Sequence, residues 1–212
     1  MVRSLVRGAV RVLTAGGVVA LLAAPALAQN GERLLRIGFA GGGAVPIGDL
    51  ADVTNAGLAV QGFVQIAPSG FPATFRVGAF YSRFAGKDGA SLTLPPTIPG
   101  SGIAAPMAPV DGTQLLGGLA QLRYELSRGS VRPYLIGGVG AYNVRQTFGQ
   151  LQSGSSVDKV RMGVDGGAGF AFNFGGADAF IEARLTNLFS TTGVARELGS
   201  IRVVPISFGV VF

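Results

Sequence analysis

Large hydrophobic residues recur at every second position along much of this chain. The final eleven residues, "RVVPISFGVVF", show the pattern most clearly. Val204, Ile206, Phe208, Val210 and Phe212 alternate there with smaller or more polar side chains. A period of two places alternate side chains on opposite faces of a β-strand. One face of this strand is therefore large and apolar up to the last residue.

Eight segments share this apolar pattern, either as a strict alternation or as an alternation in which glycines replace some of the residues. They lack both the helical period and helix N-cap signals. They are residues 33–40, 57–66, 73–84, 114–126, 131–146, 160–172, 177–188 and 201–212. The pattern therefore predicts an all-β protein with eight strands.

The connections between these segments alternate strictly between long and short. The long ones are residues 41–56, 85–113, 147–159 and 189–200, and the short ones are 67–72, 127–130 and 173–176. Long loops at one end and tight turns at the other are typical of outer-membrane barrels. We therefore predict an eight-stranded antiparallel up-and-down transmembrane β-barrel formed by residues 29–212.

The longest connection, residues 85–113, contains five prolines. Proline cannot donate to a β-ladder, so this stretch is expected to lie outside the sheet. Loops of this length are usually functional or disordered, and the sequence leaves both interpretations open for this one.

The charged residues of four central strands fall on the face opposite the apolar one, and that charged face is also rich in glycine. An eight-stranded barrel has an interior just wide enough for side chains to fill, and buried charges must pair there. The turn at residues 173–176 would place Asp165 about opposite Arg184. The predicted interior charge network comprises Arg76, Arg123, Glu125, Asp165, Glu182 and Arg184.

Aromatic residues gather near the predicted strand ends, as expected for girdles at two membrane interfaces. Arg83 and Arg202 lie on the apolar face near the loop end, where lipid phosphates would be within reach. The girdle residues at the loop end are Tyr81, Phe84, Tyr142 and Phe148. Those at the turn end are Phe63, Phe71, Tyr124, Tyr134, Phe172, Phe174, Phe180 and Phe212.

The amino terminus has the pattern of a secretory signal peptide over residues 1–28. Three arginines precede a short apolar run, and small residues lead to a predicted cleavage site between Ala28 and Gln29. The alternative is a single anchor helix, but the run is short for a span and is broken by glycine and proline.

Removal of this leader changes the charge argument. The chain has 17 basic and 11 acidic residues, and the leader takes three of the basic ones, so the remainder has 14 basic residues and a formal charge of +3. No basic cluster remains outside the leader. The sequence therefore gives no reason to expect a nucleic-acid partner.

The chain contains no His and no Cys. Their absence excludes Ser-His-Asp and Cys-His catalysis, imidazole or thiolate metal sites, and disulfides. The glycine-rich runs lack the Gly-Lys-Ser/Thr of a phosphate-binding loop and open no helix. We therefore expect no cofactor and no enzymatic activity. A paired-carboxylate hydrolase is conceivable, but Asp165 and Glu182 lie beside arginines and are better interpreted as structural pairs.

Four stretches resemble the OmpA/OmpX-like small outer-membrane β-barrels of Gram-negative-type bacteria. They are "IGFAGGGAVPIGDLADV", "VRPYLIGGVGAYNVR", "MGVDGGAGFAFNFGGADAFIEAR" and "VVPISFGVVF". The resemblance covers essentially the whole chain after the leader. It implies a location in the cell outer membrane, in contact with outer-membrane lipid.

The resemblance also implies that the carboxy-terminal Phe212, with Val210 and Phe208, forms a recognition signal for the outer-membrane assembly machinery. Outer-membrane barrel enzymes generally rely on a His, so the resemblance does not extend to them. We therefore expect a non-enzymatic structural or surface-interaction role, with any extracellular partner contacted through the long loops. The alternatives are a small narrow pore, or a soluble periplasmic or secreted barrel that binds an apolar ligand.

Overall fold

A computed structural model of the protein describes residues 35–68, 71–93, 107–148, 156–174, 176–189 and 200–212. These residues form nine strands and one short helix. The strands are β1 (Leu35–Ile47), β2 (Gly57–Ile66), β3 (Ala73–Ala85), β4 (Ser91–Thr93), β5 (Met107–Glu125), β6 (Val131–Phe148), β7 (Ser156–Phe174), β8 (Ala177–Leu188) and β9 (Ile201–Val211), and helix α1 is Asp49–Val53.

Eight of the strands form a closed wall in which every neighbouring pair is antiparallel. The hydrogen-bonded order is β3-β2-β1-β9-β8-β7-β6-β5, and β5 pairs with β3 to close the circle. The final strand lies against the first, with Val210 opposite Phe39. Backbone hydrogen bonds between Phe212 and Ile37 hold the last residue in place. The predicted all-β, eight-stranded up-and-down barrel is confirmed.

The strands extend further into the predicted long loops than the sequence indicated. Strand β1 continues through the glycine run to Ile47, because its backbone there pairs with β2 on one side and β9 on the other. Pairing on both sides satisfies the backbone groups, so it outweighs the weak strand propensity of glycine.

The prediction for residues 85–113 was wrong in part. Strand β5 begins at Met107, and the short strand β4 pairs with it so that Ser91 lies opposite Pro109. Proline is tolerated there because this ribbon stands at the margin of the sheet, where an irregularity follows between Val110 and Gly112. Residues 94–106, 149–155 and 190–199 of the predicted loops lie outside the described residues, as do the predicted leader and the Ala28–Gln29 cleavage site.

Within the described part of the chain, no helix has the length and apolar character needed to cross a bilayer. Helix α1 is a single turn that lies at the loop end of the wall, between β1 and β2. Its Leu50 and Val53 side chains are buried.

Candidate functional site: the outer surface and the filled interior

The outer surface of the wall is apolar. Exposed large hydrophobic side chains stand on every one of its eight strands, including Phe39, Val77, Met162 and Phe208. The predicted assignment of faces is confirmed on β3, β5, β7 and β8, where most of the alternate polar positions are buried, and on β9, where Val203, Pro205, Ser207 and Val211 are buried. A barrel in water would bury its large apolar residues, so this outer surface is suited to a lipid environment.

A row of polar residues marks the loop-side limit of this apolar belt. Arg83 on β3 lies opposite Gln114 on β5, Gln114 lies opposite Arg145 on β6, and Arg145 lies opposite Asp158 on β7. Elsewhere on the circumference, Arg202 of β9 is exposed beside Asn187 of β8.

The height of the belt matches a membrane. On β6 the outward positions are apolar or small from Val131 to Ala141, a distance of roughly 33 Å along the strand. At the usual strand tilt this corresponds to about 25 Å along the barrel axis, the typical height of such a belt. Strands β5 and β7 have 19 residues each. A tilted transmembrane strand needs about 9–11 residues, so these strands extend beyond the belt at the loop end.

The loop half of the interior is filled by an apolar cluster, which the sequence analysis did not predict. The cluster includes Leu50 and Val53 of α1 together with Phe80, Leu115 and Tyr142 from the wall. We expected an interior of charges among glycines, but the inward positions near the loop end are mostly hydrophobic. Helix α1 thus packs Leu50 and Val53 against this apolar cluster at the loop end.

A charged cluster lies deeper in the barrel, with Glu182 of β8 at its centre. The Glu182 Oε2 atom accepts hydrogen bonds from Arg76 Nη1 and from the Tyr134 hydroxyl, both at 2.9 Å. Its Oε1 atom is 3.0 Å from Arg184 Nε. Arg184 also donates to the Gln61 side chain. These residues are buried, and the Arg76–Glu182 ion pair joins β3 and β8 across the lumen.

Aromatic rings complete the surroundings of the buried arginines. The Arg76 guanidinium carbon is 4.0 Å from the Phe63 ring centroid and 5.4 Å from that of Phe180. The Arg123 guanidinium carbon is 3.9 Å from the Tyr134 ring centroid. Such stacking favours a cation that is removed from water.

Glycines provide the space for these inward rings. The Phe63 and Phe180 rings lie 5.9 Å apart, centroid to centroid. A Cβ atom on Gly38 would overlap the Phe63 ring, and one on Gly209 would overlap the Phe180 ring. The glycine-rich inward face is therefore what admits large side chains into a narrow barrel.

The predicted pairing of Asp165 with Arg184 is wrong. Asp165 lies opposite Thr186, and Arg184 lies opposite Gly167, so the assumed register was off by two residues. A shift of two keeps both side chains on the inward face but places them at different heights. The Asp165 Oδ1 atom instead accepts a hydrogen bond of 2.8 Å from Gln121.

The turn end of the interior contains a chain of ion pairs. Arg36 Nη1 is 2.5 Å from Asp178 Oδ2, and Arg132 Nη2 is 2.6 Å from Asp178 Oδ1. Arg132 Nε is 3.5 Å from Glu125 Oε2, and Arg123 Nη2 is 2.8 Å from Glu125 Oε1. Sequence reasoning missed Arg36, Arg132 and Asp178. The available signal was strand phase, since Asp178 is in step with Glu182.

These ion pairs border a cavity of about 540 Å³ at the turn end. The cavity is open to solvent and is lined by Gln65, Thr74 and Arg128 as well as by the ion pairs. It forms a polar vestibule beneath the enclosed charged cluster.

The predicted aromatic girdles are correct only in part. Of the predicted girdle residues, those with exposed side chains are Phe71, Tyr81, Tyr124, Phe172, Phe174 and Phe212. Six others face the interior and are buried, namely Phe63, Phe84, Tyr134, Tyr142, Phe148 and Phe180. Nearness to a strand end does not determine the face, which depends on the phase of each residue.

The carboxy-terminal strand presents Ile206, Phe208, Val210 and Phe212 on the outer surface. Val203 and Val211 point inward and are buried. The proposed assembly residues thus form the exposed apolar side of the strand that closes the barrel.

Solved structures that share this fold include the following two. Neisserial surface protein A matches over 86% of this chain and 98% of its own, with a TM-score of 0.50 and 16% sequence identity. A major outer membrane protein from Thermus thermophilus matches over 84% of this chain and 98% of its own, with a TM-score of 0.51 and 10% identity. No protein-family model and no curated protein matches the sequence. The expected resemblance to small eight-stranded outer-membrane barrels is confirmed at the level of the fold.

Proposed function

We propose that the protein is an integral outer-membrane barrel with a non-enzymatic, structural or surface-interaction role. The observation that carries this proposal is the combination of an apolar outer belt about 25 Å high with a polar, ion-paired interior. A closed barrel satisfies the backbone hydrogen bonds of its wall internally, which is the requirement for a strand protein in lipid.

The filled interior supports a structural role over a pore. The loop-end apolar cluster, helix α1 and the Glu182 charge cluster occupy successive levels of the lumen. In planar bilayers the protein is therefore expected to give small or rare conductance steps. Frequent large openings would support the narrow-pore alternative.

The same interior gives little support to a soluble carrier of an apolar ligand. That alternative needs an apolar internal cavity and a polar outside, whereas here large apolar side chains cover the outside. Cell fractionation separates the two proposals. Recovery in the outer-membrane pellet, with gel mobility that shifts on heating, supports the membrane barrel, and recovery in the soluble periplasm contradicts it.

The orientation of the barrel is testable because the chain has no cysteine. Asp88 is exposed in the turn before β4, at the loop end, and Ser127 is exposed in the turn after β5, at the opposite end. A membrane-impermeant maleimide is expected to label Asp88→Cys in intact cells and to label Ser127→Cys only after lysis. The reverse pattern would place the loops, and any partner contact through them, on the periplasmic side.

A further inference from the structure

A shallow groove lies on the outer surface, where the apolar belt meets the polar row. It has a volume of about 230 Å³ and is lined by Tyr81 of β3, Gln114 and Leu116 of β5, Asn143 and Arg145 of β6, and Asp158 of β7. The groove is thus at the loop-side boundary of the belt, where lipid headgroups would lie.

Two arginines flank Gln114, Arg145 in the lining of the groove and Arg83 beside it. Arg83 and Arg145 both lie opposite Gln114 on neighbouring strands, so their Cα atoms are roughly 10 Å apart at the usual strand spacing. Arg83 is exposed and makes no ion pair with any described residue. Both guanidinium groups can therefore approach one anion above the Gln114 amide.

Asp158 orients one of these two arginines. Its carboxylate accepts hydrogen bonds from Arg145 Nε at 2.8 Å and from Arg145 Nη2 at 3.1 Å. The pair is exposed, so it adds little stability, but its two-point geometry fixes the plane of the guanidinium. The row formed by Arg83, Gln114, Arg145 and Asp158 has a net charge of +1.

A recess in the apolar belt continues directly below the groove. Ala79, Gly118 and Ala141 lie side by side on β3, β5 and β6, and all three are exposed. A Cβ atom on Gly118 would meet no atom within 4 Å, so this part of the wall is open to the outside. On β3 this strip of small residues lies between the larger side chains of Val77 and Tyr81, and it leaves room for a hydrocarbon chain against the wall.

We propose that this groove binds an anionic lipid of the outer leaflet, with its phosphate on Arg83, Gln114 and Arg145 and an acyl chain against Ala79, Gly118 and Ala141. Guanidinium groups match phosphate oxygens in geometry and charge. The continuity of the cationic row with an apolar recess selects a lipid phosphate over dissolved phosphate. This inference rests on the proposed function, since it requires the belt to lie in a membrane.

The test is selective lipid retention by the full chain in phosphatidylcholine nanodiscs that contain a minor fraction of bisphosphorylated lipid A, read by native mass spectrometry. Each arginine near a charged membrane surface changes binding by about fivefold. The double variant Arg83→Gln/Arg145→Gln is therefore expected to retain roughly 25-fold less lipid A than the unmodified chain. The control Arg202→Gln removes one exposed arginine of the same rim outside the groove, so it is expected to lower retention by no more than about fivefold.

A second variant examines the recess. Gly118→Leu fills it from an open position, and retention is expected to fall severalfold while the barrel still folds. Equal retention by the double variant and Arg202→Gln would overturn the proposal. Displacement of the lipid by inorganic phosphate, or a change of oligomeric state as the main effect of Gly118→Leu, would also overturn it, in favour of a soluble anion or a second copy of this chain.

The heat-dependent gel shift of the unmodified chain in the same nanodiscs separates the two proposals. If the unmodified chain does not insert, the proposed membrane function fails. If it inserts but retains no lipid A selectively, only the lipid site fails.

Discussion

Glu182 provides the strongest test of how this barrel is held together. Its carboxylate is within 3.0 Å of two buried arginines and also accepts a hydrogen bond from the Tyr134 hydroxyl. The substitution Glu182→Gln keeps the size of the side chain and an acceptor oxygen but removes the negative charge. Arg76 and Arg184 would then share the lumen without the carboxylate that now pairs with both.

The expected effect is large because the cluster is enclosed. Breaking a buried ion pair by removing one partner costs about 3–5 kcal/mol, since an uncompensated charge remains away from water. A loss of about 3 kcal/mol in a chain of this size lowers the midpoint of thermal unfolding by about 6–12 °C. The cation–π contacts of Arg76 with Phe63 and Phe180 remain, so Glu182→Gln is expected to fold with reduced stability.

The free energy of unfolding can be measured by urea titration in detergent micelles, followed by circular dichroism and by the heat-dependent gel shift. The control is Asp158→Asn, which removes a carboxylate from an exposed ion pair and is expected to cost less than about 1 kcal/mol. Adding Arg76→Gln to Glu182→Gln removes one of the two cations that have lost the carboxylate, so the loss in the double variant should be smaller than the sum of the single losses by about 1 kcal/mol or more. Equal losses for Glu182→Gln and Asp158→Asn, or strictly additive losses in the double variant, would refute this reasoning.

Three further predictions concern the wall. Val77→Lys places a charge in the middle of the outer belt and is expected to destabilise the membrane-inserted barrel by about 2–4 kcal/mol in the same urea titration. The control Leu126→Lys, at the turn end, is expected to have little effect, whereas a soluble barrel would tolerate both substitutions equally. Gly209→Ala brings a Cβ atom into the Phe180 ring and within 2.5 Å of a backbone oxygen, so the free energy of unfolding is expected to fall by about 1–3 kcal/mol. The control is Gly118→Ala, whose Cβ atom enters open space, and equal stability of the two alanine variants would contradict the close packing. Deletion of Phe212 is expected to reduce outer-membrane levels, measured by fractionation and immunoblotting, far more than Asp88→Cys in a loop turn does; equal levels would count against an assembly signal at the carboxy terminus.

The sequence predicted the wall of the barrel well because strand phase is a local property. In β8, Ile181 and Leu185 point outward while Phe180, Glu182 and Arg184 point inward, as the alternation indicates. The short turns, which contain few residues, also set the antiparallel neighbours. For the same reason part of the charged inward face could be named in advance, although Arg36, Arg132 and Asp178 were missed.

The alternation of inward and outward residues could not predict the pairing register of the strands or the residues at which they end. A shift of two residues preserves every inward and outward position, so the alternation could not show that Asp165 lies opposite Thr186. The extension of β1 through its glycines depends on pairing with β9, about 160 residues later in the chain. Local propensity contains no information on that contact.

The sequence by itself determined which side chains face outward and which face inward, and hence that the outer surface suits lipid, because alternation follows directly from strand geometry. Only the tertiary structure decided which inward side chains meet. Arg76 and Glu182 are 106 residues apart, and Arg36 and Asp178 are 142 apart. Their heights in the lumen follow from the tilt and stagger of the closed sheet. The same closure also placed helix α1 over an apolar core and aligned Arg83, Gln114 and Arg145 along the rim.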